Sequence, residues 1–164
     1  MNWLHVPPTL RHYTLSRAML ERTADFLRRR GEKGLEATVV WLGRMVDETH
    51  AEILQVYAPE QIGYASDEGV AVEVTQQGLA ELIGSLPPGV FVLARVHSHP
   101  SSAYHSSLDD DNMLISHEGA ISIVVPYFAR DGIDLAGCSV NELRHGHGWR
   151  ELDAAEVAKR FTVG

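Results

Sequence analysis

FVLARVHSHPSSAYHSSLDD, residues 91–110, opens with an apolar, β-branched run from Phe91 to Val96 and passes without a break into His97-Ser98-His99-Pro100. A run of this kind reads as a buried strand. In an extended chain residues two apart point to the same side, so His97 and His99 converge on one point. Ser107 follows His99 by eight residues and Asp110 stands three further on, in the first turn of a short helix expected near 107–116. A strand end and a helix start that face each other across one loop can close three ligands, His97, His99 and Asp110, around a zinc ion. The fourth position is then left for water, which is the plan of a catalytic site and not of a structural one. In a chain with 9 His, 11 Ser and 9 Asp, the spacing H-x-H-x7-S-x2-D arises by chance in about one such composition in 600. His145-Gly146-His147 is also an H-x-H pair, but no carboxylate stands at a matching distance from it. Ser107-Leu108-Asp109-Asp110 has in addition the form of a helix N-cap with an acidic residue three on, and Asp109 and Asp111 are register alternatives for the ligand.

Outward from this stretch, strands and helices interleave. Leu15, Met19, Leu20, Phe26 and Leu27 recur at helical spacing and predict an amphipathic helix over 15–30, with Thr14 before it and Gly31 as its terminator. The basic run Arg28-Arg29-Arg30 suits the negative end of the helix dipole. Thr38 to Leu42 is a short buried strand stopped by Gly43, and residues 50–57 and 69–74 alternate like further strands. Thr75 precedes a helical stretch ended by Pro87-Pro88-Gly89. A strand over Ala120–Pro126, another over 133–143 and a closing helix over Asp153–Phe161 complete the pattern. The fold class expected is α/β or α+β, a sheet sandwiched by helices.

The 164 residues fit one domain, residues 1–164, with 45% hydrophobic and 22% charged residues, near the averages of a soluble globular protein. A net charge of −8 repels phosphate backbones, so no nucleic-acid partner is expected. Cys138 is the only cysteine, which excludes an intrachain disulfide and a four-thiolate zinc site and favours a reducing, cytoplasmic setting. In a strand pattern it reads as a small buried hydrophobe. The N-terminus lacks the features of a secretory signal, and no apolar stretch approaches the roughly 20 residues of a membrane span.

The segment from His97 to Asp110 resembles the metal motif of the JAMM (MPN-plus) metalloproteases without gap or insertion. Glu36-Ala-Thr-Val-Val-Trp-Leu-Gly43 is similar to that family's strand in which a glutamate is followed seven residues later by glycine. A second glycine often found three residues after the glutamate is Val39 here. The resemblance spans about residues 15–145. It implies a central mixed β-sheet flanked by helices, a cytidine-deaminase-like sandwich, with a single zinc. It also implies cleavage of amide or isopeptide bonds after the C-terminus of a ubiquitin-like protein. Compact bacterial proteins of this type resemble proteases encoded beside ubiquitin-like conjugation enzymes, including those of antiviral defence operons, and such enzymes are the partners implied.

Zinc chemistry makes hydroxide available near neutral pH, so no protein nucleophile is required. A carboxylate must take the proton from that water and later give it to the leaving amine, and Glu36 is the candidate general base, with Glu32, Glu48 and Glu52 as competitors. Ser107 would donate its hydroxyl to the oxygen that becomes negative in the tetrahedral intermediate. Tyr104 and Leu108 flank the site and are candidates to touch a substrate tail, whereas Trp41 and Trp149 read as packing residues. Two other functions stay open on the sequence: a peptidase that processes a sulfur-carrier protein, and a non-catalytic module whose zinc site serves interaction.

Overall fold

The computed structural model of the chain describes residue 6, residues 8–104 and residues 117–164. Ser107 and Asp110, the helix expected near 107–116, and Leu108 lie outside the described residues. Among the described residues, ten strands and three α-helices follow one another as β1 (His12–Leu15), α1 (Arg17–Gly31), β2 (Thr38–Met45), β3 (His50–Tyr57), β4 (Gln61–Ser66), β5 (Gly69–Val74), α2 (Gln76–Ser85), β6 (Phe91–Ser98), β7 (Ile121–Val125), β8 (Ser139–Arg144), β9 (Gly148–Glu151), α3 (Ala154–Arg160) and β10 (Phe161–Val163). Eight strands form one mixed sheet in the order β10-β1-β3-β2-β6-β7-β8-β9, while β4 and β5 pair as a separate hairpin.

The centre of the sheet is buried on both faces, as its apolar runs require. One face carries Val39, Trp41, Ala94, Val96, Ile121 and Ile123 against α1 and α3. Its largest member, Trp41, is fully buried and donates its indole N–H to Thr23 Oγ1 of α1 at 2.9 Å, so the polar edge of the ring is satisfied inside the core. The opposite face carries a smaller cluster, Val40, Leu42, Val92 and Ala120 with Leu82 of α2. The histidines of β6 belong to this second face.

Several sequence expectations shift by a physical cause. Residues 12–15 form a strand, with Tyr13 and Leu15 buried in alternation, so Leu15 belongs to β1 and the helix begins only at Arg17. Ser16, and not Thr14, caps α1 by accepting from Met19 N–H at 3.2 Å. The stretch 133–143 divides into a 3-10 turn, Leu135–Gly137, and β8, because the Asp134 side chain accepts from Ala136 N–H and curls the chain first. Strands β4, β9 and β10 carry too little buried apolar surface to announce themselves. Asp153 caps α3 in a reciprocal capping box with Glu156, at the start of the helix expected over 153–161.

Gly43 is required by a close approach. A β-bulge shifts the β2–β3 register between Leu42 and Gly43, and any Cβ at Gly43 would overlap the carbonyl oxygen of Glu52 and lie 2.7 Å from Leu93 Cδ1. Gly31, expected to end α1 by its backbone freedom, is instead helical, and the left-handed glycine is Gly34 with φ 73°.

Candidate metal centre

Strand β6 is flanked by β2 and β7, and its register decides what surrounds the histidines. Thr38 stands opposite His97 on the antiparallel β2 side, and Val124 stands opposite it on the parallel β7 side. Thr38 and His97 therefore share one sheet face, and Glu36 and His99 lie just beyond these last paired residues of β2 and β6, with Ser98 N–H donating to Ala37 O between them. All four are buried, with Glu36 9%, His97 3% and His99 4% exposed.

The two imidazoles meet as their spacing requires. Their Nε2 atoms are 3.3 Å apart, with ring centroids separated by 5.1 Å. That is long for a hydrogen bond to nitrogen, whose usual length is about 2.9–3.0 Å. It matches a different geometry: two nitrogens that sit about 2.0–2.1 Å from a tetrahedral zinc lie about 3.3–3.4 Å from one another. The pair therefore fits two corners of a zinc site. Among the described residues no group of three His, Cys, Asp or Glu surrounds one point, and the third ligand expected from the sequence, Asp110, is outside them. Tyr104, half exposed, sets its ring edge-on to His99 with centroids 4.6 Å apart, so it borders the histidine pair as expected.

The backbone on either side of Glu36 and His99 is held by side chains that the sequence did not single out. Ser98, on the opposite face from the two histidines, accepts the Ala37 N–H on its hydroxyl at 3.1 Å, and its own N–H donates to Ala37 O at 3.0 Å. Gln61, buried at the start of β4, lays its amide along the outer edge of β2: Oε1 accepts from Thr38 N–H at 2.8 Å and Nε2 donates to Thr38 O at 2.9 Å. One side-chain amide thus does the work of a neighbouring strand just past the end of β3. Neither role has a sequence signal, since both depend on which strands become neighbours. Arg95 lies two residues before His97 on the same face, is buried, and donates to Ser122 Oγ on β7 at 2.8 Å.

Beyond β7 the chain turns back against the site. His99 N–H donates to Val125 O at 2.9 Å, and the following residues Tyr127, Phe128 and Ala129 hold φ of 53°, 54° and 56°. Each left-handed residue of this kind costs roughly 1–3 kcal/mol. Cys138 lies just before β8. It is half-buried and outside the strand, where a buried strand residue was expected, and its burial, reinforced by nearby Asp134, pushes its thiol up to about 12, which disfavours the reactive thiolate.

No family model matches the chain. Among curated proteins it is 32% identical over 155 residues to the probable metalloprotease y4jG of Sinorhizobium fredii, covering 94% of this chain and 95% of that one. The chain belongs to the family of that protein. Among solved structures, it shares its fold with protein DSY2949 from Desulfitobacterium hafniense at TM-score 0.60, with 16% identity over 93% of this chain and 92% of that one. A protein from Salinibacter ruber is similar at TM-score 0.54, with 14% identity over 85% and 88% of the respective chains. At these identities the two structures speak for the architecture alone. No helix among the described residues is long and apolar enough to cross a membrane.

Proposed function

We propose that this chain is a zinc-dependent peptidase of the JAMM (MPN-plus) type. On this reading it cleaves the amide or isopeptide bond that follows the C-terminus of a ubiquitin-like protein. The observation that carries the reading is the 3.3 Å separation of the buried His97 and His99 Nε2 atoms, with the buried Glu36 just before β2. The name of the Sinorhizobium relative supports peptidase chemistry with a metal.

His97, His99 and Asp110 are the residues that would hold zinc. When bound, zinc supplies Lewis acidity and brings the pKa of water toward about 7. Glu36 takes the proton of the attacking water and passes it to the departing amine. Ser107 donates its hydroxyl to the carbonyl oxygen as negative charge develops there. The partners proposed are the ubiquitin-like substrate and the conjugation enzymes encoded with it.

An extended C-terminal tail is held most simply as an added strand. The β2 edge at Thr38 is already taken by the Gln61 amide. The β4–β5 hairpin, whose strands form a two-stranded sheet of their own and which begins at Gln61, offers that tail an edge. The test is hydrolysis of a fusion between a ubiquitin-like protein and a reporter, joined through the terminal glycine. Cleavage after that glycine is expected with zinc and is lost with a chelator. Chelator-insensitive cleavage, or none with zinc bound, overturns the proposal. Equal rates on tails with a bulky residue in place of the terminal glycine would refute this mode of tail binding.

A further inference from the structure

Next to the histidine pair the backbone adopts a conformation that L-residues avoid. Tyr127, Phe128 and Ala129 are left-handed in succession, which brings each Cβ too close to the following carbonyl. Such a run persists only where the surroundings over-determine it, and three contacts do so here. Phe128 N–H donates to His99 O at 2.8 Å, and Tyr127 N–H donates to Ser101 O at 2.9 Å, so two successive amides grip the chain on either side of Pro100. Phe128 is also seated on Gly31 at the end of α1, where any Cβ would overlap the Phe128 Cβ and lie 2.6 Å from its Cγ. With its own N–H given to Val125 O, His99 has both backbone groups tied to one segment, β7 and the turn that follows it.

We infer that the left-handed turn Tyr127–Ala129 is a positioning element for His99, with Phe128, wedged on Gly31, as the residue that fixes it. A right-handed or extended turn would swing both amides away from His99 O and Ser101 O and release the loop that carries the second imidazole. Glycine would reach the same dihedral angles without strain, but it would reach others as well. An L-residue pinned by its ring cannot relax. The inference rests on the reading of His97 and His99 as metal ligands.

Zinc affinity, measured by competition with a chromophoric chelator, separates positioning from plain structural support. Phe128→Gly is expected to weaken zinc about tenfold or more, the range typical of lost outer-shell support to a ligand, and to speed amide hydrogen exchange at position 128 in metal-free protein. Gly31→Ala, which drives a methyl into Phe128, is expected to lower both the thermal midpoint and the zinc affinity. Adding Phe128→Gly to it should recover the midpoint and leave the affinity low, whereas recovery of both together would mark a merely structural contact and overturn the inference. If Phe128→Gly holds zinc as tightly as the parent while His97→Ala loses it, the turn has no such role and the ligand reading stands. A parent protein that takes up no zinc sinks both.

Discussion

The His12–His50 and His97–His99 pairs have nearly the same ring geometry, with centroids 5.2 and 5.1 Å apart and planes inclined at 64° and 61°. They differ in where their nitrogens are directed. His12 Nδ1 meets Lys159 O at 2.9 Å and its Nε2 meets Thr162 Oγ1 at 2.9 Å, while His50 Nε2 meets Thr14 Oγ1 at 3.1 Å. A carbonyl only accepts, so His12 Nδ1 donates, and the pair is part of the seam that joins β1, β3 and β10. At His97 and His99 the Nε2 atoms are turned on each other inside the buried sheet face. The third pair, His145 and His147, has the same H-x-H spacing but sits on the β8–β9 turn, where Gly146 has φ 84° and strand alternation is broken. There the His145 backbone N–H donates to Glu118 at 2.6 Å and, with Arg144 beside it, holds that carboxylate below its ordinary value. Ring contact and spacing are common to these pairs; what sets His97 and His99 apart is that both imidazoles are buried with their Nε2 atoms facing one another.

The largest expected effect tests that distinction directly. His97→Ala should lose most of the zinc, while His12→Ala and His147→Ala should each retain one zinc per chain by elemental analysis. Retention in the first variant, or loss in either of the others, breaks the comparison. Next is Glu36→Gln, which keeps the size of the side chain and removes its basic oxygen. Zinc should stay and turnover should fall by about a hundredfold or more, since positioned acid-base catalysis contributes about 10²–10⁴. Near-parental turnover with zinc in place would transfer the role to another carboxylate.

Two smaller effects sharpen the contrast by stability alone. Gln61→Ala strands the N–H and C=O of Thr38 beside the site, at a cost of about 1–3 kcal/mol for each buried group left unpaired, and urea unfolding should show it. Thr162→Val removes the partner of His12 Nε2 and should cost about 1 kcal/mol with unchanged zinc content. A change in zinc there would mean that the β1–β10 seam and the histidine centre are coupled.

The histidine pair was legible because strand alternation is a local rule: a buried strand running into H-x-H fixes the common direction of both rings before any packing is known. The inner strands β2, β3, β6 and β7 and the closing helix α3 were legible for the same reason, each being written in neighbouring residues, whereas β1, β9 and β10 of the same sheet were not. Glu36 was legible only through likeness to a known motif. Sixty-one residues separate it from His97, and nothing in its own neighbourhood says that β2 will pair with β6. Gly43 looked like a strand stop, and its actual service, admitting the Glu52 carbonyl at a bulge, is visible only once β3 lies alongside.

What the sequence by itself determined is the chemistry on offer and the local direction of its side chains: two imidazoles on one side of a strand, a carboxylate before another strand, a single cysteine without a partner. The tertiary structure alone decided which of these meet. The β2–β6 register sets Thr38 across from His97, the Gln61 amide closes the β2 edge, and Phe128 on Gly31 holds a left-handed turn against the His99 carbonyl. These contacts link residues far apart in the chain. Strand register and close packing arise from the simultaneous burial of many side chains, which no local spacing encodes.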